Sequence, residues 1–152
     1  MKKLFCILMT VAMLATMSMS VFAANTTGGV ADITTSIAPT YTVTIPADVN
    51  VQFNATETAF GTIEVTASQI HPDKCIKVAL ATDNKLENSI DATKVIPYAI
   101  KDAEGVNFTS ATYLTEGDKT ELSIHITAED WNAAYAGEYS DTVTFTVSYE
   151  SK

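Results

Sequence analysis

The side chains best suited to chemistry are few in this chain and widely spaced. His71 and His125 are its only histidines, and neither belongs to a recognised metal-ligand spacing with Cys, Asp or Glu. His71 precedes Pro72 in a turn and His125 falls on the polar side of an alternating run, so both read as solvated surface residues. Glu129, Asp130 and Asp141 could gather around a calcium ion at a loop. The plainer reading makes the first two helix-start acids that complement the local dipole, and the third an exposed acid at a strand start. Eighteen acids leave room for a pair that converges in space, as glycoside hydrolysis requires, but no spacing picks one out. No Gly-x-Ser-x-Gly elbow, His-Glu-x-x-His helix, phosphate-cradling glycine loop or EF-hand is present. The chemistry predicted is therefore none: no catalytic residue, no cofactor, no metal. What remains is recognition by surface. Trp131, Tyr135 and Tyr139 would make a stacking platform for a glycan if they faced solvent; otherwise Trp131 and Tyr135 plug one end of the fold and Tyr139 holds a corner.

The elements that must position these residues are almost all strands. From Thr142 to Tyr149 polar and apolar residues alternate, placing Val143, Phe145, Val147 and Tyr149 on one side and Thr142, Thr144, Thr146 and Ser148 on the other. The same alternation marks Tyr41 to Ile45, closed by Pro46, and continues through Val49, Val51 and Phe53. Ile63 and Val65 point inward from the run 62–67. Ile76, Val78 and Leu80 do so from the run 75–81, and these two runs, joined by a loop with His71-Pro72-Asp73, are expected to pair. Ile96, Tyr98 and Ile100 share a face, with Pro97 marking an edge or bulge. Tyr113 to Thr115 is expected to pair with Lys119 to Thr127 across Glu116-Gly117-Asp118. Leu122, Ile124 and Ile126 alternate there with Glu121, Ser123 and His125. Thr127 followed by Asp130 has the spacing of a helix N-cap, with Gly137 suited to the C-cap, so a short helical turn is predicted around Trp131.

Lys2 and Lys3 precede an apolar stretch from Leu4 to about Ala15 and a small-residue site at Val21-Phe22-Ala23. This predicts a secretory signal peptide over residues 1–23 and no membrane association once it is removed. Cys6 would leave with it, and Cys75, alone thereafter, could close no internal disulfide. Residues 24–38, with Gly28-Gly29, read as a flexible arm in which Ile33, Thr35 and Ile37 could form a short donor strand. Residues 39–152 make one domain, large enough to stand on its core without staples. Nine lysines and no arginine face eighteen acids, a net charge of −9, which loss of Lys2 and Lys3 would deepen to −11. That field repels phosphate backbones and anionic lipid, so nucleic acid is excluded as a partner. The Asn-x-Thr triplets at Asn25, Asn54 and Asn107 are what a threonine-rich chain yields by chance.

Short strands, frequent turn signals and no long amphipathic helix predict an all-β protein. The expected form is a two-sheet antiparallel Greek-key, immunoglobulin-like sandwich of about seven to nine strands with one short helical turn. Ala136-Gly137-Glu138-Tyr139 is similar to the tyrosine corner of immunoglobulin-like domains. The segment from Gly137 to Tyr149 resembles the closing strand of secreted bacterial pilin and spore-coat-protein-U-type domains, and Tyr41 to Pro46 resembles an early strand of small secreted proteins of Gram-positive bacteria. That resemblance implies an exported, non-catalytic cell-surface or extracellular protein, an adhesin or fimbrial-type structural subunit with protein partners or copies of itself. Where pilin domains carry an internal disulfide, this chain departs from them. The alternative is a carbohydrate-binding module using Trp131, Tyr135 and Tyr139.

Overall fold

The computed structural model describes residues 30–152. The predicted signal peptide, Cys6, Asn25 and Gly28-Gly29 lie outside the described residues. The described residues are all-β with one short helix: β1 (Thr40–Thr44), β2 (Glu57–Gln69), β3 (Lys74–Ala81), β4 (Lys85–Asn88), β5 (Val95–Pro97), β6 (Ala99–Lys101), β7 (Ser110–Tyr113), β8 (Lys119–His125), α1 (Ala128–Ala133), β9 (Tyr139–Ser140) and β10 (Thr144–Ser151). Two main antiparallel sheets, ordered β1-β2-β8-β6 and β10-β3-β7, are joined by a small third sheet, β5-β4-β9. Ten strands therefore stand where seven to nine were expected. One reason is Pro97. Lacking an N–H, it ends β5 at the edge of the small sheet, and the chain re-enters the four-stranded sheet as β6.

The core forms where the apolar sides of the two main sheets meet. Ile63 and Val65 from β2, Ile76 and Val78 from β3, and Ile96 and Ile126 from neighbouring segments lose essentially all solvent exposure. Burying each such side chain is worth about 1.5–3 kcal/mol. Tyr98, Ile100, Leu122 and Ile124 join them, on the faces that the alternation predicts. β10 is the exception in degree. Phe145, Val147 and Tyr149 share one side, but the strand lies at a sheet edge and they are only partly covered.

Two expected pairings are corrected. β2 and β3 do not pair: β2 bonds β1 and β8, while β3 bonds β10 and β7. Both strands carry fully buried residues, and placing them in opposite layers lets Ile63 and Val65 share one core with Ile76 and Val78. β7 and β8 likewise belong to different sheets, so Glu116-Gly117-Asp118 is an arch between layers. The Asp118 carboxylate accepts the Leu114 N–H at 2.7 Å, the Thr115 N–H at 2.9 Å and the Thr115 hydroxyl at 3.0 Å. The arch is stitched onto β2, with Gly117 N–H donating to the Val65 carbonyl and Val65 N–H to that of Asp118. Gly117 holds φ +89°, a conformation open to glycine.

The expected strand through Val49, Val51 and Phe53 is absent. That stretch is irregular, turns at Asn54 with φ +65°, and lays the Phe53 ring edge-on to Trp131. The donor-strand segment Ile33 to Ile37 forms no strand within this chain. Among the described residues, no helix is long and apolar enough to cross a membrane.

The backbone donors that Asp118 receives hold its carboxyl below the usual carboxylate range. A depressed folded pKa stabilises the fold above the unfolded value near 3.9, and that contribution is lost as pH falls below about 4. Asp118→Ala should cost about 0.5–1.5 kcal/mol in urea denaturation at pH 7, and the gap to wild type should narrow steadily as pH falls below about 4.

Candidate functional site

Three regions hold the residues that sequence marks for function: the N-terminal arm, the end of the sandwich around α1, and the open lateral edges. The arm runs from Val30 to Ala38 exposed and outside any sheet. Ile33 is 100 % exposed, and Val30 and Ile37 are exposed as well. Alternation in Ile33-Thr34-Thr35-Ser36-Ile37 suits a strand with one apolar side, yet here that side meets water. Pro39 explains the separation, since it bars a continuous ladder with β1.

At the end of the sandwich, Thr127 caps α1. Its hydroxyl accepts the Asp130 N–H at 3.1 Å and bonds the Asp130 carboxylate, which closes the first turn. This short turn swings Trp131 inward. The indole is 9 % exposed and donates its Nε1 proton to the Ala55 carbonyl at 2.8 Å. Trp131 thus plugs the end of the core and takes no place on an exposed platform. Tyr135 is exposed, with the Lys94 ammonium 4.9 Å above its ring. Tyr139 is half-buried, and its hydroxyl donates to the Tyr135 carbonyl at 2.9 Å. The three aromatics are neighbours in sequence but do not present one common surface.

Gly137 is not the helix C-cap, which falls on Ala134. Its role is close approach: a Cβ built there would lie 2.4 Å from Asn88 Nδ2, at φ +151°. Asn88 is the one buried polar side chain among the described residues, and its Oδ1 accepts the N–H groups of Ile90 and Asp91 at 2.9 and 3.3 Å.

Two of the three candidate metal-binding acids, Asp130 and Asp141, are committed to separate structural bonds. Asp130 serves the helix cap. Asp141 accepts the Tyr98 hydroxyl at 2.5 Å and that of Thr82 at 3.2 Å. Burial, with Asp141 as second cause, pushes the Tyr98 phenol well above its ordinary range, so the phenol stays a proton donor. This lock was invisible in sequence because its three members lie on separate inter-strand links. Among the described residues, no group of three His, Cys, Asp or Glu side chains converges. His125 does gain a cross-strand neighbour, Glu57, at 3.9 Å. His71 is exposed, its N–H donating to the Tyr149 hydroxyl. Cys75 is buried at 5 % exposure, its thiol 3.7 Å from the Glu150 carbonyl.

Two shallow clefts flank the β6 side. One, about 370 Å³, is lined by Leu80, Thr82, Asn84, Tyr98, Phe108 and other neutral residues. The other, about 430 Å³, includes Asp102, Glu104, Lys119 and Glu121. Asp102 is committed to the N–H groups of Glu104 and Val106, and Glu121 pairs with Lys119 at 3.2 Å.

Trp131→Ala should cost about 3–5 kcal/mol by opening the plugged end. Gly137→Ala should cost about 1–3 kcal/mol by driving into Asn88, whereas Tyr135→Ala on the exposed flank should stay within about 0.5 kcal/mol of wild type. Chemical denaturation of the three variants checks this ranking.

No family model matches the sequence, and the curated proteins contain no match to it. Among solved structures, the chain is similar to one from a chaperone-tip adhesin complex described as vital for synergistic activation of CFA/I fimbriae biogenesis. Identity is 12%, the TM-score is 0.48, and the likeness covers 74% of this chain and 43% of that one. This chain therefore spans less than half the length of that structure.

Proposed function

We propose that this chain is an exported, non-catalytic structural subunit or adhesin that works outside the cell through protein contacts, with its N-terminal arm as the connecting element. The observation that carries the reading is the arm itself. It holds Val30, Ile33 and Ile37 in water, unpaired with its own domain, in a sequence that would form a strand if a sheet edge were supplied. Adding Ile33 to Ile37 to an edge of a neighbouring copy would satisfy its backbone groups by main-chain hydrogen bonds. Covering Ile33 and Ile37 would add about 1.5–3 kcal/mol each. One arm engaging the next copy is a head-to-tail contact, and such contacts build open chains unless the rotation closes.

The dispersal of candidate chemical groups into caps, locks and loop bonds is consistent with a role that needs no active site. The carbohydrate reading is the weaker one, because the Trp131 indole is committed to the Ala55 carbonyl and the exposed Tyr135 ring is covered on one face by the Lys94 ammonium.

Purified protein lacking residues 24–38 should lose high-mass assemblies seen by light scattering or electron microscopy while keeping its β-rich circular dichroism. Ile33→Asp should weaken assembly at least tenfold. Assemblies that survive both changes would remove the arm from the mechanism.

A further inference from the structure

We infer that β10 is a self-complementary edge, through which two copies of this chain pair antiparallel about a two-fold axis at Val147. This contact uses no residue of the arm and would join two copies symmetrically rather than head to tail.

Backbone alternation decides which groups the edge presents. Lys152 N–H donates to the Asp73 carbonyl at 3.0 Å, and the register of β10 on β3 is unbroken from Thr144↔Ala81 to Ser151↔Lys74. Even-numbered residues of β10 therefore turn their N–H and C=O toward β3, and odd-numbered ones turn theirs outward. Phe145, Val147 and Tyr149 offer three donors and three acceptors along the free side of an edge strand.

The other edges carry protection that β10 lacks. β1 lies between Pro39 and Pro46, and its ladder is bulged at Thr42/Val43. β5 contains Pro97. β6 is three residues long and is partly covered by the Phe108 N–H bond to the Ile100 carbonyl and by the Lys101↔Asn107 bridge. β9 has two residues and β7 four. β10 has eight residues, no proline and no bulge, and its one charged residue, Glu150, already pairs with Lys77 at 3.6 Å.

The sequence of β10 fits itself. With Val147 facing Val147 of a second copy, Phe145 faces Tyr149, Thr146 faces Ser148 and Thr144 faces Glu150. Each outward-facing residue then meets another outward-facing residue, giving two hydrogen bonds at each of three successive pairs. Aromatic meets aromatic and no like charges oppose, which is the favourable pattern for cross-strand neighbours. The half-exposed Val147, at 37 %, would be covered. Pairing along one eight-residue edge is a small contact beside the roughly 1,200–2,000 Å² of stable interfaces, and the net charge of −9 opposes approach. The dimer is accordingly a weak one that salt strengthens.

Sedimentation over a concentration series up to about 1 mM should show the mass rising from one chain toward two, in wild type and in protein lacking residues 24–38 alike. Thr146→Lys/Ser148→Lys places like charges opposite one another on the exposed side of the pair and should weaken the dimer at least tenfold. An equimolar mixture with Thr146→Glu/Ser148→Glu should restore it. Val147→Pro removes an outward N–H while sparing the ladder to β3, and should also abolish pairing with the circular dichroism unchanged. A chain that stays monomeric throughout, or variants that dimerise as wild type does, would overturn the inference. So would a dimer lost on deleting the arm but not on altering β10, although that result would leave the arm reading standing.

Discussion

Everything in this fold depends on two apolar strand faces pressed together without a covalent tie. Ile63 and Val65 on one sheet and Ile76 and Val78 on the other are excluded from water, and the described chain has one cysteine, so no disulfide reinforces them. Burial of this kind is strong but non-directional. It brings the sheets together and leaves their offset and their ends to be fixed by something else.

Polar side chains supply that direction. Asp118 binds the arch between layers, Asn88 fills a site that only Gly137 leaves open, and Asp141 holds the Tyr98 and Thr82 hydroxyls across three links. Thr127 sets the turn that points Trp131 into the core. Among the described residues, no buried side-chain nitrogen or oxygen lacks a partner, and a fully satisfied network of this kind favours one arrangement over its near alternatives. Asp130, Asp141 and Trp131, three of the side chains that sequence offered for a metal or ligand site, are committed to this work.

What sequence conveyed about the fold followed from period-two burial. The inward residues of β2, β3, β8 and the 96–100 stretch, the edge character of Pro97 and the Thr127 cap could all be read from local spacing. Strand partners could not. Each strand carries the same alternation whether it pairs with the next strand or crosses to the facing sheet, so the expected 62–67/75–81 and 113–115/119–127 hairpins became arches. Val49 to Phe53 alternates as a strand does, but it forms no ladder, and of its three apolar residues Val51 alone packs on the core while Val49 and Phe53 stay exposed. For the candidate site, exposure was the missing quantity. Trp131, Tyr135 and Tyr139 are close in sequence, yet a six-residue helix sends the first inward and leaves the second in water. The Tyr98–Asp141–Thr82 lock spans fifty-nine positions, and no local pattern announces it.

The sheltered thiol of Cys75 bears on how the described domain folds. A domain whose sole sulfhydryl is tucked against the Glu150 carbonyl has nothing to pair within itself and little to offer a stray oxidant. Folding of the described residues does not wait on a disulfide between them, so their shape is indifferent to the redox poise around them.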